Sequence, residues 1–145
     1  MLFRSEPVSA QVCRFQRDVA ELDAIVAFTT GFLVEHGLDA GLAQVVDLAT
    51  EELFVNMVRY NTETDAQIDI AIEAVGAGVR VSLRDTGVKR FDPTAYVGSD
   101  VPPGAGAEER GGLGIFLVLK MVDDIHYQYR DGVSTISFET HPETG

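Results

Sequence analysis

Residues 110–124 read RGGLGIFLVLKMVDD, with three glycines in four positions set against a dense apolar run. Ile115, Val118, Leu119 and Val122 fall at helical spacing, which predicts a helix over about 113–122 with that stripe in the core. A turn into such a helix needs one glycine, whereas three expose the backbone. The first N–H groups of a helix lack intrahelical partners and lie at its positive end, so a glycine-fronted helix start suits an anion. Gly111, Gly112 and Gly114 have no side chain to block phosphate oxygens, and Arg110 could add a charge-assisted contact. The plain alternative is a tight turn rich in glycine. A Walker loop is excluded because no Gly-Lys-Ser/Thr follows, and the spacing does not match a dinucleotide fingerprint.

Working outward, the stretch before it (86–110) holds most of the prolines and many glycines, with no apolar periodicity. A loop of that length inside a compact domain is usually functional or disordered. Upstream, residues 18–37 place Leu22, Ile25, Val26, Thr29, Phe32 and Leu33 at helical spacing, with Asp18 as N-cap and Gly37 just past the end. A second helix is expected over 39–61, capped by Asp39, with Leu42, Val45, Val46, Ala49, Leu53 and Met57 buried. The period then becomes two. Ile68, Ile70 and Ile72 alternate with Gln67, Asp69 and Ala71, and residues 79–85 alternate back after Gly76 and Gly78, giving a hairpin. Two closing strands, DIHYQYR and VSTISFET, join through Asp131-Gly132. The order predicts an α+β two-layer sandwich, with a mixed, mainly antiparallel sheet covered on one face by helices.

Size and charge narrow the function. The 145 residues fit one domain and bury roughly 70% of their unfolded surface. The net charge of −12 repels phosphate backbones, which disfavours direct nucleic-acid binding. No apolar stretch approaches the ~20 residues of a membrane span, and the start MLFRSEPVSA lacks a signal-peptide core, so a cytoplasmic protein is expected. Cys13 is the single cysteine and fits packing better than nucleophilic chemistry. His36, His126 and His141 lack metal-ligand spacing.

Two further constellations stand out. In EELFVNMVRYN (51–61), Glu52 and Asn56 share a helix face that Tyr60 continues. A solvated polar face is the bland explanation. However, this line lies beside the apolar stripe, and Asn is a poor helix-interior residue unless its amide is needed. An Asn carbonyl oxygen suits magnesium, and a nearby Glu could take a proton from a hydroxyl attacking phosphate. The other is Asp85, ending a strand before Thr86 and Gly87. Such a sequence is often only a turn, but a carboxylate there could accept from an exocyclic amine such as that of adenine.

Taken together, EELFVNMVRYN, DTG…FDP and GGLGIFLVLKMVDDIHYQYRDG resemble the N, G1 and G2 boxes of the GHKL (Bergerat-fold) ATPases. Within that class the chain is most similar to the anti-sigma factor serine-protein kinases. The resemblance implies that ATP is bound with Mg2+: Glu52 as catalytic base, Asn56 as magnesium ligand and Asp85 as adenine acceptor. It matches Gly87 to the G1 glycine, and Gly112 and Gly114, with Leu113 between them, to the end of an ATP lid over about 94–110. An adenine-contacting threonine would fall on Thr135. The implied partners are a STAS-domain anti-anti-sigma protein, phosphorylated on serine, and a sigma factor, with the kinase commonly a homodimer. Two departures are visible: three residues rather than two separate Gly87 from Phe-Asp-Pro, and Tyr60 stands where histidine is frequent. The rival readings are a non-catalytic ATP-binding module and a detached histidine-kinase ATPase domain; the chain has no helix pair with a phosphorylatable histidine to support the latter.

Overall fold

A computed structural model describes residues 10–87 and 117–143. The expected two-layer α+β arrangement is present. Strand β1 (Gln11–Phe15) leads through a short 3-10 turn (Val19–Glu21) into helix α1 (Leu22–Glu35), then helix α2 (Leu42–Tyr60). Strands β2 (Ile68–Val75), β3 (Gly78–Thr86), β4 (Asp124–Arg130) and β5 (Val133–Thr140) complete one sheet in the order β1-β2-β3-β5-β4. Every pairing is antiparallel. The extended start of the chain thus becomes an edge strand, paired from Gln11–Ile72 to Phe15–Ile68.

Local chemistry accounts for the element ends. Asp18 caps the 3-10 turn, its carboxylate accepting from the Ala20 amide at 2.9 Å, so α1 begins at Leu22, three residues later than the cap alone suggests. Asp39 accepts from the Gly41 amide at 3.0 Å and starts the turn that feeds α2. The β4–β5 hairpin turns on Asp131 and Gly132, both with positive φ, the geometry that favours this residue pair. Residues 117–121 are helical, with Val118 fully buried. The expected start of that helix, at 113–116, lies outside the described residues.

Period-two alternation delivers the core. Ile68, Ile70 and Ile72 on β2, and Val79, Val81 and Leu83 on β3, face the helices and are inaccessible to solvent. Against them pack Ile25 and Phe32 of α1 and Val46, Leu53 and Phe54 of α2. Phe54 was not in the expected stripe, yet it is as deeply buried as Leu53, because a helix flanked by both α1 and the sheet buries more than one line of residues. Removing so large a buried ring costs ~3–5 kcal/mol. Val45, expected in the stripe, is half-buried.

The opposite sheet face is polar and carries ion pairs such as Arg14–Asp69 at 3.1 Å and Arg80–Glu73 at 3.0 Å. The three histidines have local partners: His36 stacks on Phe32 with ring centroids 4.0 Å apart, His126 Nε2 lies 2.9 Å from Asp124, and His141 Nε2 lies 3.3 Å from Glu139. Cys13 packs against the core and is free of any disulfide. No helix among the described residues is long and apolar enough to cross a membrane.

Candidate functional site

The site grows from the second half of α2. Glu52 and Asn56 stand one turn apart, as the i, i+4 spacing requires. The Asn56 amide nitrogen donates to the Glu52 backbone carbonyl at 2.7 Å. This back-bond explains how asparagine is held inside a helix, and it fixes the flip of the amide. Oδ1 is then turned away from that carbonyl and is the atom of Asn56 that could serve a hard cation. Asn56 is buried, with only 6% of its surface exposed. Glu52 is half-buried, and desolvation pushes its carboxyl above the usual range, opposed by the charge of Arg59 and aided by that of Glu51. A carboxylate made more basic by its surroundings, beside an oxygen donor for magnesium, is a fitting pair for proton abstraction next to a metal-bound phosphate.

Just over one turn beyond Asn56 the helix ends at Asn61, whose amide nitrogen caps onto the Met57 carbonyl at 3.0 Å. The Asn61 side chain reaches Asp85, Nδ2 to Oδ2, at 2.7 Å. Asp85 occupies the last helix-facing position of β3 and is completely buried. Its second partner is Arg17, on the connector between β1 and the 3-10 turn. Arg17 Nη2 pairs with Asp85 Oδ1, and Nη1 lies 3.3 Å from Oδ2. Nη1 also approaches the carbonyls of Met57 at 3.2 Å and Asn61 at 3.4 Å at the C-terminal end of α2.

Neither Arg17 nor Asn61 was singled out from the sequence. Asn61 sits at the end of a quoted motif, and its place after the last helical turn was the signal for a cap. Arg17 gave no signal, since it is 68 residues from the carboxylate it meets.

Gly87 follows at φ 74°, where a side chain would be strained, and a Cβ there would also meet Thr64 Oγ1 at 3.1 Å. Its amide donates to the Gly132 carbonyl at 2.8 Å, tying the end of β3 to the β4–β5 turn. Thr135 is not brought to this corner. It pairs with Arg84, on the sheet face away from the helices, and lines a shallow depression there with Gln128 and Arg130. The correction is one of register: Asp85 pairs with Ser134, a buried hydroxyl on the helix face, and a shift of one residue exchanges faces. Arg110, Gly111, Gly112, Leu113, Gly114 and the 94–110 lid lie outside the described residues. The structure therefore gathers Glu52, Asn56, Asp85 and Gly87 on the end of α2 and the adjoining end of β3.

The fold and this arrangement define a nucleotide-binding class. The chain belongs to the histidine kinase-like ATPase domain family, whose model matches residues 15–139. It is an ATPase domain of the GHKL type. Among solved structures it is similar to the RsbU and RsbW domains of Rv1364c from Mycobacterium tuberculosis, with a TM-score of 0.63 and 18% identity. That match covers 91% of this chain and 32% of the other, so the chain spans about a third of the length of that protein. At this identity the likeness concerns the fold. No curated protein sequence matches the chain.

Proposed function

We propose that this chain is an ATP-dependent serine-protein kinase that phosphorylates a STAS-domain anti-anti-sigma partner and governs a sigma factor by partner switching. The observation that carries the reading is the pairing on α2 of a desolvated, half-buried Glu52 with a back-bonded Asn56, one turn apart. Similarity of fold to a chain named for its RsbW domain supports it as analogy. In this reading the protein works in the cytoplasm as a single domain, with a lid over 94–110, and pairs as a homodimer.

The residues present fit an ATP–magnesium complex. Asn56 Oδ1 would ligate Mg2+, which when bound supplies charge neutralisation between the phosphates. Asp85 would accept from the adenine amine, with Gly87 letting the base approach the backbone. Arg110 and the amides of Gly111, Gly112, Leu113 and Gly114 would hold the terminal phosphates. Glu52 would take the proton of the partner's serine hydroxyl as its oxygen bonds to the γ-phosphorus, while the bond to the β-phosphate oxygen breaks and ADP leaves. Catalysis of this kind is positioning plus electrostatics, so a correctly placed base and metal ligand account for most of what the chain must provide.

The test is transfer of radiolabelled γ-phosphate from ATP to a purified STAS protein. Labelled serine on that protein, lost with Glu52→Ala while ATP binding persists, is the expected result. ATP binding without any label on the partner would instead favour the non-catalytic module.

A further inference from the structure

We propose that Arg17 is an internal occupant of the base-reading position, and that an adenine nucleotide binds by displacing it from Asp85. The inference rests on the reading of Asp85 as adenine acceptor and adds a residue that reading does not contain.

Three observations carry it. First, most of the acceptor capacity of Asp85 is filled from within: one oxygen accepts from Arg17 Nη2, the other from Arg17 Nη1 and from Asn61 Nδ2. A carboxylate has about four acceptor positions, so one is left. Second, Asp85 is inaccessible to solvent, so no ligand reaches that last position unless a neighbour moves. Third, Arg17 is the neighbour that can move. Asn61 is held by the end of α2, whereas Arg17 hangs from the connector between β1 and the 3-10 turn. Its side chain keeps 8% exposure, and its buried Nε has no hydrogen-bond partner among the described residues. An unmet buried donor is a debit against the closed arrangement.

Chemistry makes the exchange plausible in kind. A guanidinium is flat and presents N–H donors in one plane, as the amino edge of a purine does. Arg17 therefore stands where a planar donor would lie. The exchange replaces a charge-assisted contact with a neutral one, so the closed form competes with nucleotide and lowers its apparent affinity by the fraction of molecules that are open. Displacement also takes Nη1 away from the carbonyls of Met57 and Asn61 and frees the 16–21 connector. Nucleotide occupancy is thereby linked to the junction between β1 and α1.

Calorimetric titration of the full chain with Mg–ADP and Mg–IDP, the latter lacking the exocyclic amine, tests this in wild type, Arg17→Met and Arg17→Gln, with thermal melts to verify folding. The folded variants are expected to bind ADP about five-fold or more tightly than wild type while still preferring it to IDP. Unchanged or weaker ADP binding in them overturns the proposal and leaves adenine reading by Asp85 intact. Absence of ADP preference in wild type overturns that underlying reading and the proposal with it. Should neither variant fold, hydrogen exchange of the wild-type chain decides. The amides of 16–21 are expected to exchange faster at saturating Mg–ADP, and equal or slower exchange overturns displacement.

Discussion

The two ends of the functional half of α2 are built on opposite principles. At Glu52, burial is partial and the carboxyl is destabilised by desolvation, so a reactive group is kept basic. At Asp85, which Asn61 reaches from five residues beyond Asn56, burial is complete and the carboxylate is held by an arginine fork and an amide. One end stores reactivity and the other stores order. A site that must both recognise and react places its strain where chemistry occurs and its hydrogen bonds where shape must be fixed.

Substitutions can break this contrast, and the largest effect is expected at the reactive end. Glu52→Gln should reduce phosphoryl transfer by about 100-fold or more, the usual contribution of a general base, with nucleotide binding retained in calorimetry. The same variant should melt higher than wild type at neutral pH. Because the folded-state pKa of Glu52 is raised, its contribution is fully present below the unfolded carboxylate value and is lost as pH rises through the folded one. Glutamine removes that loss, so the gain in melting temperature should vanish in acid. A variant less stable than wild type at pH 7 would contradict the desolvated base.

At the ordered end, Asp85→Ala should abolish adenine-nucleotide binding and also cost ~3–5 kcal/mol in chemical denaturation, because it leaves the buried Arg17 charge unpaired. Loss of binding with full stability would mean that Asp85 reads the base but does not anchor the corner. Asn56→Ala sharpens the contrast from the middle. It should remove most of the gain in ATP affinity that magnesium confers while leaving magnesium-free binding near wild type, as measured by titration with and without EDTA.

The smallest effect is expected on the open sheet face. There the Arg80 hydrogen bond holds Glu139 below the usual carboxylate range, with His141 adding to the shift. A depressed folded pKa contributes stability above the unfolded value and loses it as pH falls through the folded value. Glu139→Gln should therefore cost at most ~1 kcal/mol at pH 7, as solvent-facing pairs do, and nothing in strong acid.

Much of this was legible before the structure. Helices and strands are written in the 3.6 and 2.0 periods because each element buries one side, and the isoleucines of β2 leave no other choice of face. Glu52, Asn56, Asp85 and Gly87 were legible because they lie within short motifs. What escaped was non-local. Arg17 is an unremarkable basic residue in a connector until a chain reversal brings β3 beside it. Thr135 and Ser134 are adjacent hydroxyls whose difference is purely one of facing, decided by pairing with Arg84 and Asp85 respectively. Phe54 was missed because a single-stripe view of α2 ignores its second neighbour, α1.

The Arg17–Asp85 pair closes a span of 68 residues and draws together the β1 connector, the end of α2 and the end of β3. Contacts of such separation carry a large loop-closure cost and tend to form late. In a refolding experiment, ability to bind nucleotide should therefore appear after helical signal has been regained. The ligand would then serve as a stopwatch for the final docking event and not for collapse.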